Sequence, residues 1–237
     1  MRLDKFLTVT GTASRSESAK MIRRGGVLVD GKAANSPSMQ IDPEKCCVEY
    51  HGEKVIYRQY TYIMLNKPKG VVSATEDGKD KTVLDLLPEK LRRLGLFPCG
   101  RLDKNTVGLM LLTDNGELSH RLLAPKSHVA KSYRFGAERP LSNEDKAALE
   151  SGVYIAGGYL TKPSEIELDG DRMGGIITIT EGKYHQIKLM LEAVGNKIIS
   201  LGRITFGPLV LDRSLAEGEW RFLTDQEIEE LELNGRN

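Results

Sequence analysis

The hydrophobic and polar pattern of the chain is organised around residues 100–116, GRLDKNTVGLMLLTDNG. The run Leu109–Leu112 is apolar on both faces and too short for a helix, which predicts a central strand covered on both sides. If the backbone before it is extended, Arg101 and Asp103 share one face while Leu102 points into the core. The segment therefore has one face for structure and one that carries opposite charges.

The same analysis predicts further elements along the chain. Ser14 and Glu17 have the spacing of a capping box, so a helix is expected to run to about Arg24, with a strand and a tight Asp30-Gly31 turn after it. Further strands are predicted at 62–65, 71–73 (as its hairpin partner), 131–137, 165–168, 176–180, 197–204 and 220–223, and further helices at 117–123, 142–150, 186–194 and 225–233. This mixture predicts an α+β fold.

The length of 237 residues allows one substantial core and a small second domain. The stretch Gln59–Thr61 marks the expected linker, since a new alternating pattern begins directly after it. We therefore expect a small α/β domain at 1–58 and a larger domain at 59–237.

The charge distribution changes this picture only near the N-terminus. A net charge of +1 is low for a nucleic-acid-binding protein, but residues 2–32 hold seven Lys and Arg against three Asp and Glu. Six of these basic side chains are candidates for contacts with a phosphate backbone: Arg2, Lys5, Arg15, Lys20, Arg23 and Arg24. From the residues alone, a solvated helix face is the favoured alternative.

Several classes of protein are not indicated by the composition. No apolar run approaches a membrane span, and the N-terminus lacks the apolar core of a signal peptide, so a cytoplasmic protein is expected. Three cysteines form no C-x-x-C pair, and the four histidines show no metal-ligand spacing. We expect neither a metal nor a disulfide framework.

The charged pair in residues 100–116 leaves two interpretations open. A carboxylate at the mouth of a buried strand, two residues from a guanidinium, is costly and is typical of functional sites. An ordinary surface ion pair is an equal alternative from the residues alone.

Resemblance to a known family favours the first interpretation. GRLDKNTVGLMLLTDNG resembles the catalytic motif of the pseudouridine synthases, G-R-L-D followed by T-x-G-L-L-L-L-T. LNKPKGVVS, SHRLLAPKSHVAKSY and EGKYHQIKLMLEAVG resemble further segments of that family, most closely of its small-subunit (16S) ribosomal RNA branch. Residues 1–58 resemble the RNA-binding domain first named for ribosomal protein S4. The resemblance implies a catalytic domain with a mixed, mainly antiparallel central sheet flanked by helices.

The resemblance also implies roles for individual side chains. Asp103 would be the catalytic aspartate and Lys188 its basic partner, while Tyr133 would sit against the target base. Arg101 would enter the space that the extruded base leaves, and Leu209 would close the apolar side of the pocket. Without the resemblance, Tyr133 in an alternating strand is more often a packing residue.

The implied RNA contacts include one more residue, Lys67 of the LNKPKG motif, besides Arg101, Leu209 and the N-terminal basic residues. Isomerising uridine breaks the C1′–N1 bond and joins C5 to C1′ with no net oxidation, so no cofactor is expected. The expected partner is ribosomal RNA, and the protein is expected to be a monomer. 16S rRNA is favoured, and the same chemistry on 23S rRNA is the closest alternative. A binding-only ribosome-assembly factor and a two-carboxylate glycosidase remain as alternatives from other classes.

Overall fold

The computed structural model describes residues 1–234 and divides the chain into two compact units. The first unit contains Met1–Thr61 together with Leu87–Leu96, and the second contains Tyr62–Leu86 and the chain from Phe97 onward. The sequence also predicts fraying at Asn234–Asn237, and the last three of these residues lie outside the described part. Within residues 1–234, no helix has the length and apolar character needed to cross a membrane.

The first unit joins two helices to a small antiparallel sheet with strand order β2-β1-β3-β4. Its elements in 1–61 are α1 (Leu3–Val9), α2 (Arg15–Arg23), β1 (Val27–Val29), β2 (Lys32–Ala33), β3 (Val48–Tyr50) and β4 (Glu53–Lys54). The predicted capping box is present, because the Ser14 side chain accepts from the Glu17 amide and the Glu17 carboxylate accepts from the Ser14 amide. Helix α1 was not predicted, although Leu3, Phe6 and Leu7 have helical spacing and are buried.

The second unit is built on one large sheet with the path β11-β12-β8-β13-β7-β5-β16, with β6 also paired to β7. Its strands up to β8 are β5 (Tyr62–Lys67), β6 (Phe97–Pro98), β7 (Val107–Thr113) and β8 (Lys131–Ala137). The later strands are β9 (Tyr154–Ile155), β10 (Tyr159–Leu160), β11 (Glu165–Leu168), β12 (Gly174–Ile179), β13 (Ile198–Arg203), β14 (Thr205–Phe206), β15 (Leu209–Val210) and β16 (Trp220–Phe222). Only β13 and β7 pair in parallel along this path, which confirms the mixed, mainly antiparallel sheet of an α+β fold.

Helices complete the chain. They are α3 (Glu89–Arg92) in the first unit, and α4 (Gly116–Leu123), α5 (Asn143–Ser151), α6 (Gln186–Ala193) and α7 (Asp225–Asn234) in the second. Leu118 and Leu122 of α4 belong to one core cluster with Leu109 and Leu111 of β7. Each fully buried leucine contributes about 1.5–3 kcal/mol relative to an exposed one, so this cluster anchors β7 in the unit.

Strand β7 is central, as predicted, and residues 108–113 are all buried. Its start lies so close to β13 that a Cβ at position 108 would collide with the backbone of Arg203. Gly108 also has a φ of +97°, a conformation that side chains disfavour. Glycine is therefore required where β7 meets β13, directly after the loop that carries Asp103.

The predicted hairpin between 62–65 and 71–73 is wrong. Strand β5 pairs with β7 on one edge and β16 on the other, so neither edge is free for a returning strand. Val72 makes only an isolated parallel bridge to Thr82. Ser73 is instead held by the loop that follows β6.

Candidate active site

The loop between β6 and β7 presents Arg101 and Asp103 on one side and buries Leu102 on the other. Ser73 fixes this geometry, because its hydroxyl donates to the Leu102 carbonyl at 2.8 Å and accepts from the Leu102 amide at 3.0 Å. The Thr106 amide closes the loop on the Asp103 carbonyl at 3.0 Å. The alternation expected from the sequence is present.

The two carboxylate oxygens of Asp103 have different basic neighbours from one segment. Lys188, on the first turn of α6, places Nζ 2.5 Å from Oδ2. His185, directly before the helix, places Nε2 3.4 Å from Oδ1. The Asp103 and Lys188 side chains are each 28% exposed, so the pair is half-buried at the surface of a cleft. The sequence predicted Lys188 as a partner and did not identify His185.

The cleft around Asp103 has a volume of about 720 Å³, within the usual range for ligand sites. It continues into a recess of about 90 Å³ that Arg101, Asp103, Tyr133, His185 and Lys188 border. Tyr133 lies in the middle of β8 and is 8% exposed. The structure therefore brings together the four residues that the family resemblance places around the base: Arg101, Asp103, Tyr133 and Lys188.

A second carboxylate, Glu181, also lines this cleft. Its Oε2 accepts from the Tyr159 hydroxyl at 2.6 Å, and its Oε1 accepts from the Gln186 side chain and the Lys162 amide. Both oxygens are thus committed to neighbouring protein groups. This arrangement differs from the two free carboxyl groups that a glycosidase needs.

Leu209 does not occupy the position that the resemblance implied. Its side chain is 1% exposed, in the core cluster that also contains Phe206, Leu109 and Val129. It borders neither the cleft nor the recess. The expectation that Leu209 closes the pocket is wrong because β15 pairs with β14 and turns this side chain into the core. Val129, Ile179 and Leu201 supply apolar walls instead.

Lys67 is also misplaced for an RNA contact. Its side chain is fully buried, and Nζ donates to the carbonyls of Pro68 (3.1 Å), Lys104 (3.2 Å) and Thr106 (2.9 Å). Because the last two carbonyls belong to the Asp103 loop, Lys67 holds that loop from behind. Burial lowers the pKa of Lys67 to about 8. The expectation that Lys67 binds RNA is therefore wrong for this structure.

Replacing Lys67 with methionine is expected to destabilise the fold by about 1–3 kcal/mol, since buried carbonyls lose their donor. The pKa of Lys67 falls from 10.5 to about 8 on folding, so the unfolded chain binds more protons between those values. Wild-type stability should rise with pH across this window relative to the variant. Urea unfolding at pH 8 and 10.5 measures the difference in free energy of unfolding between wild type and the variant, with Lys69→Met, at an exposed position, as control. A difference that is the same at both pH values would contradict this assignment.

The basic residues of the first unit have two different surroundings. Lys5, Arg15, Lys20, Arg23 and Arg24 are exposed. Arg2 forms an ion pair with buried Asp4 at 2.7 Å, and this hydrogen bond lowers the pKa of Asp4. Five of the six side chains thus remain free for an anionic partner, while Arg2 already has one.

A groove of about 560 Å³ adjoins helix α2. Lys20 and Arg24 border it, together with Tyr50 and His51, whose rings are 4.1 Å apart. Aromatic side chains beside cations are typical of surfaces that bind single-stranded nucleic acid. The sequence pattern gave no signal for Tyr50 or His51, because only β3 brings them next to α2.

No group of three or more His, Cys, Asp or Glu side chains within residues 1–234 is arranged to hold a metal ion. The cleft therefore offers one paired carboxylate, an aromatic wall and several cations. This set can act on a sugar carbon or a sugar proton and can hold a planar base beside it.

Comparison with known proteins agrees with this chemistry. Residues 61–193 match the RNA pseudouridylate synthase family, and residues 1–45 match the S4 domain. A Bacillus subtilis protein named as an uncharacterized RNA pseudouridine synthase is 48% identical over 231 residues, covering 96% of this chain and 97% of the relative. Ribosomal small subunit pseudouridine synthase A of Haemophilus influenzae is 40% identical over 233 residues, covering 98% and 99%.

A solved structure described as a pseudouridylate synthase matches the fold with a TM-score of 0.69 and 39% identity, covering 98% of this chain and 99% of that one. The chain belongs to the RNA pseudouridylate synthase family. The protein is accordingly an isomerase that converts uridine in RNA to pseudouridine.

Proposed function

We propose that this enzyme isomerises a uridine of small-subunit ribosomal RNA and that Asp103 is its catalytic carboxylate. The observation that carries the proposal is the position of Asp103 in the cleft, with Lys188 2.5 Å from one oxygen and Tyr133 across the recess. The small subunit is supported by relatives named small subunit pseudouridine synthase A, which align over nearly the whole chain.

The reaction breaks the C1′–N1 bond, turns the uracil and joins its C5 to C1′. A single carboxylate suffices for the step at the sugar, either as nucleophile at C1′ or as base for a sugar proton. Lys188 contacts Oδ2 of Asp103 and His185 contacts Oδ1, so both carboxylate oxygens are held from the same segment in either route. Their place on one segment fixes the direction of the carboxylate.

The target base must leave its helix to reach Asp103, at a cost of a few kcal/mol. Arg101 is exposed at the mouth of the recess and is placed to fill the space that the base leaves and to contact the phosphate backbone. Tyr133 forms the wall against which the uracil stacks. Arg101 thus offsets part of the unstacking cost, and Tyr133 orients the base.

The first unit supplies affinity that depends little on sequence, through the exposed cations Arg15, Lys20, Arg23 and Arg24. Because ribosomal RNA is the proposed substrate, the enzyme acts in the cytoplasm. We propose that it works as a monomer without a cofactor, since one chain supplies every group invoked above.

Replacing Arg15, Lys20, Arg23 and Arg24 together with glutamine should weaken RNA binding and flatten its salt dependence. The slope of log K against log salt is negative, and each lost phosphate contact makes it less steep by about one. Filter binding at several salt concentrations measures the slope, with Lys45→Gln, a well-exposed lysine of the same unit, as control. An unchanged slope would show that this helix face is only solvated.

Purified enzyme offered small-subunit and large-subunit RNA transcripts in parallel tests the substrate. Pseudouridine should form at one position of the small-subunit RNA and be absent from the large-subunit RNA. Modification of the large-subunit transcript alone would favour the same chemistry on the other subunit. Tight RNA binding with no pseudouridine in either transcript would contradict the proposed substrate.

A further inference from the structure

Two cations to which the family resemblance assigned no role lie beside Tyr133. Lys131 precedes it by two residues on β8, so both side chains leave the same face of the strand. Arg203 of β13 is directly opposite Tyr133 in the sheet register. All three side chains line the cleft that contains Asp103. Tyr133 is thus flanked by a cation along its own strand and by another across the sheet.

Backbone carbonyls and the Phe206 ring hold both cations in place. Lys131 Nζ donates to the Val129 carbonyl at 2.8 Å, and Arg203 Nε donates to the Leu109 carbonyl at 2.8 Å. The Lys131 ammonium and the Arg203 guanidinium lie 5.6 Å and 5.1 Å from the centre of the Phe206 ring. These contacts occupy only some of the N–H donors of each side chain, so the remaining donors are available to a ligand in the cleft.

Neither cation has a carboxylate partner among the described residues. Within residues 1–234, no ion pair includes Lys131 or Arg203, and the oxygens of Glu181 are bound elsewhere. Arg203 is 2% exposed. Burial and the neighbouring Arg203 lower the pKa of Lys131 to about 8, against a small opposing effect of the Cys99 thiol. A buried guanidinium beside a half-buried ammonium is costly unless an electron-rich ligand offsets the two charges.

We propose that Lys131 and Arg203 bind the carbonyl oxygens of the target uracil and stabilise the negative charge that the base acquires during the reaction. This inference rests on the proposed function of the cleft. When C1′–N1 breaks, the bonding electron pair stays on N1, so the detached uracil is an anion whose charge spreads to O2 and O4. When C5 then bonds to C1′, the ring becomes neutral, and the C5 proton leaves while N1 takes up a proton to give pseudouridine.

The charge exists only after the glycosidic bond begins to break, so these cations act mainly on the transition state. Interactions of that kind raise the rate of the chemical step more than the affinity for substrate. Removal of one donor aimed at developing charge commonly costs about 10²–10³-fold in rate. A purely structural lysine would instead affect stability, and a phosphate contact would affect RNA binding.

The test compares Lys131→Met and Lys131→Arg with wild type in single-turnover reactions at saturating small-subunit RNA fragment. Lys131→Met should lower the rate about 10²–10³-fold, with the RNA dissociation constant and melting temperature nearly unchanged. Lys131→Arg should recover most of the rate, because the charge survives. Lys146→Met, on α5 and outside the cleft and the recess, is the control and should behave as wild type.

A second substrate separates charge stabilisation from positioning. Fluorine at C5 withdraws electrons and stabilises the detached base, so the loss caused by Lys131→Met should shrink at least severalfold on RNA that carries 5-fluorouridine, measured as rearranged nucleoside. An equal loss on both substrates, an unchanged rate, or a change confined to RNA binding would overturn the inference. If wild type forms no pseudouridine, or Asp103→Asn keeps the rate, the proposed function itself fails.

Discussion

Replacing Asp103 with asparagine is expected to reduce tritium release from C5-labelled uridine by at least about 10³-fold, while RNA binding and the melting temperature change little. Asparagine keeps the shape of the side chain and removes the charge that acts at the sugar. Folding should be preserved, because the packing near this loop is carried by Leu102 and by the buried strand β7. RNA binding should be preserved, because the binding cations remain.

Asp80→Asn provides the matched control for this experiment. Asp80 forms a 2.7 Å ion pair with Lys104, the residue directly after Asp103, but it does not line the cleft or the recess. Its loss should leave tritium release within about twofold of wild type, since exposed ion pairs contribute little. Near-normal release from the Asp103 variant would refute the catalytic assignment.

Replacing Lys188 with methionine should produce the second largest loss of activity. The carboxylate of Asp103 then loses the ammonium at 2.5 Å and keeps only His185 at 3.4 Å. Without this ammonium the carboxylate is no longer held in one direction, so the rate of the chemical step should fall while RNA binding is retained. Because both partners are 28% exposed, the stability cost should be about 1 kcal/mol or less.

Lys188→Arg should retain substantial activity, because the charge survives even though the planar guanidinium fits a space shaped for an ammonium less well. The measurement is the single-turnover rate and the RNA dissociation constant of both variants. A rate that falls in the methionine variant and largely recovers in the arginine variant supports the pairing. Normal turnover in the methionine variant would remove Lys188 from the reaction, and weaker RNA binding alone would assign it to a phosphate.

Local sequence patterns correctly predicted features that depend on a single helix, strand or loop. The alternation Arg101, Leu102, Asp103 is present, and β7 is central because its apolar run has no polar face to leave in water. The capping-box residues begin α2 and α5 as expected, because side chain and backbone lie three residues apart. Such interactions need no knowledge of the rest of the fold.

The order of strands was not accessible from such patterns. The hairpin expected after β5 fails because β7 and β16 occupy both edges of that strand, and β16 is about 150 residues further along the chain. Lys67 was expected to contact RNA because it belongs to the LNKPKG motif. It is buried because the carbonyls that bind it come from the distant Asp103 loop.

The site was predictable only as far as family motifs extend. Lys188 was found by its motif, whereas His185 in the same motif was not assigned. His185 lies before the helix in a left-handed conformation, so helical spacing alone does not place it beside Lys188. Arg203 is next to Tyr133 through strand register alone. A sequence pattern does not show which residues are neighbours across a sheet, so the position of Arg203 beside Tyr133 could be seen only in the structure.

Mapping pseudouridine in ribosomal RNA from cells that lack this protein, carry it, or carry only the Asp103→Asn variant tests the central claim most directly. The proposed function predicts one small-subunit uridine that is converted when the intact enzyme is present and remains unmodified in both other strains. Pseudouridine at that position in the Asp103→Asn strain, or an unchanged small-subunit map in cells without the protein, would contradict it.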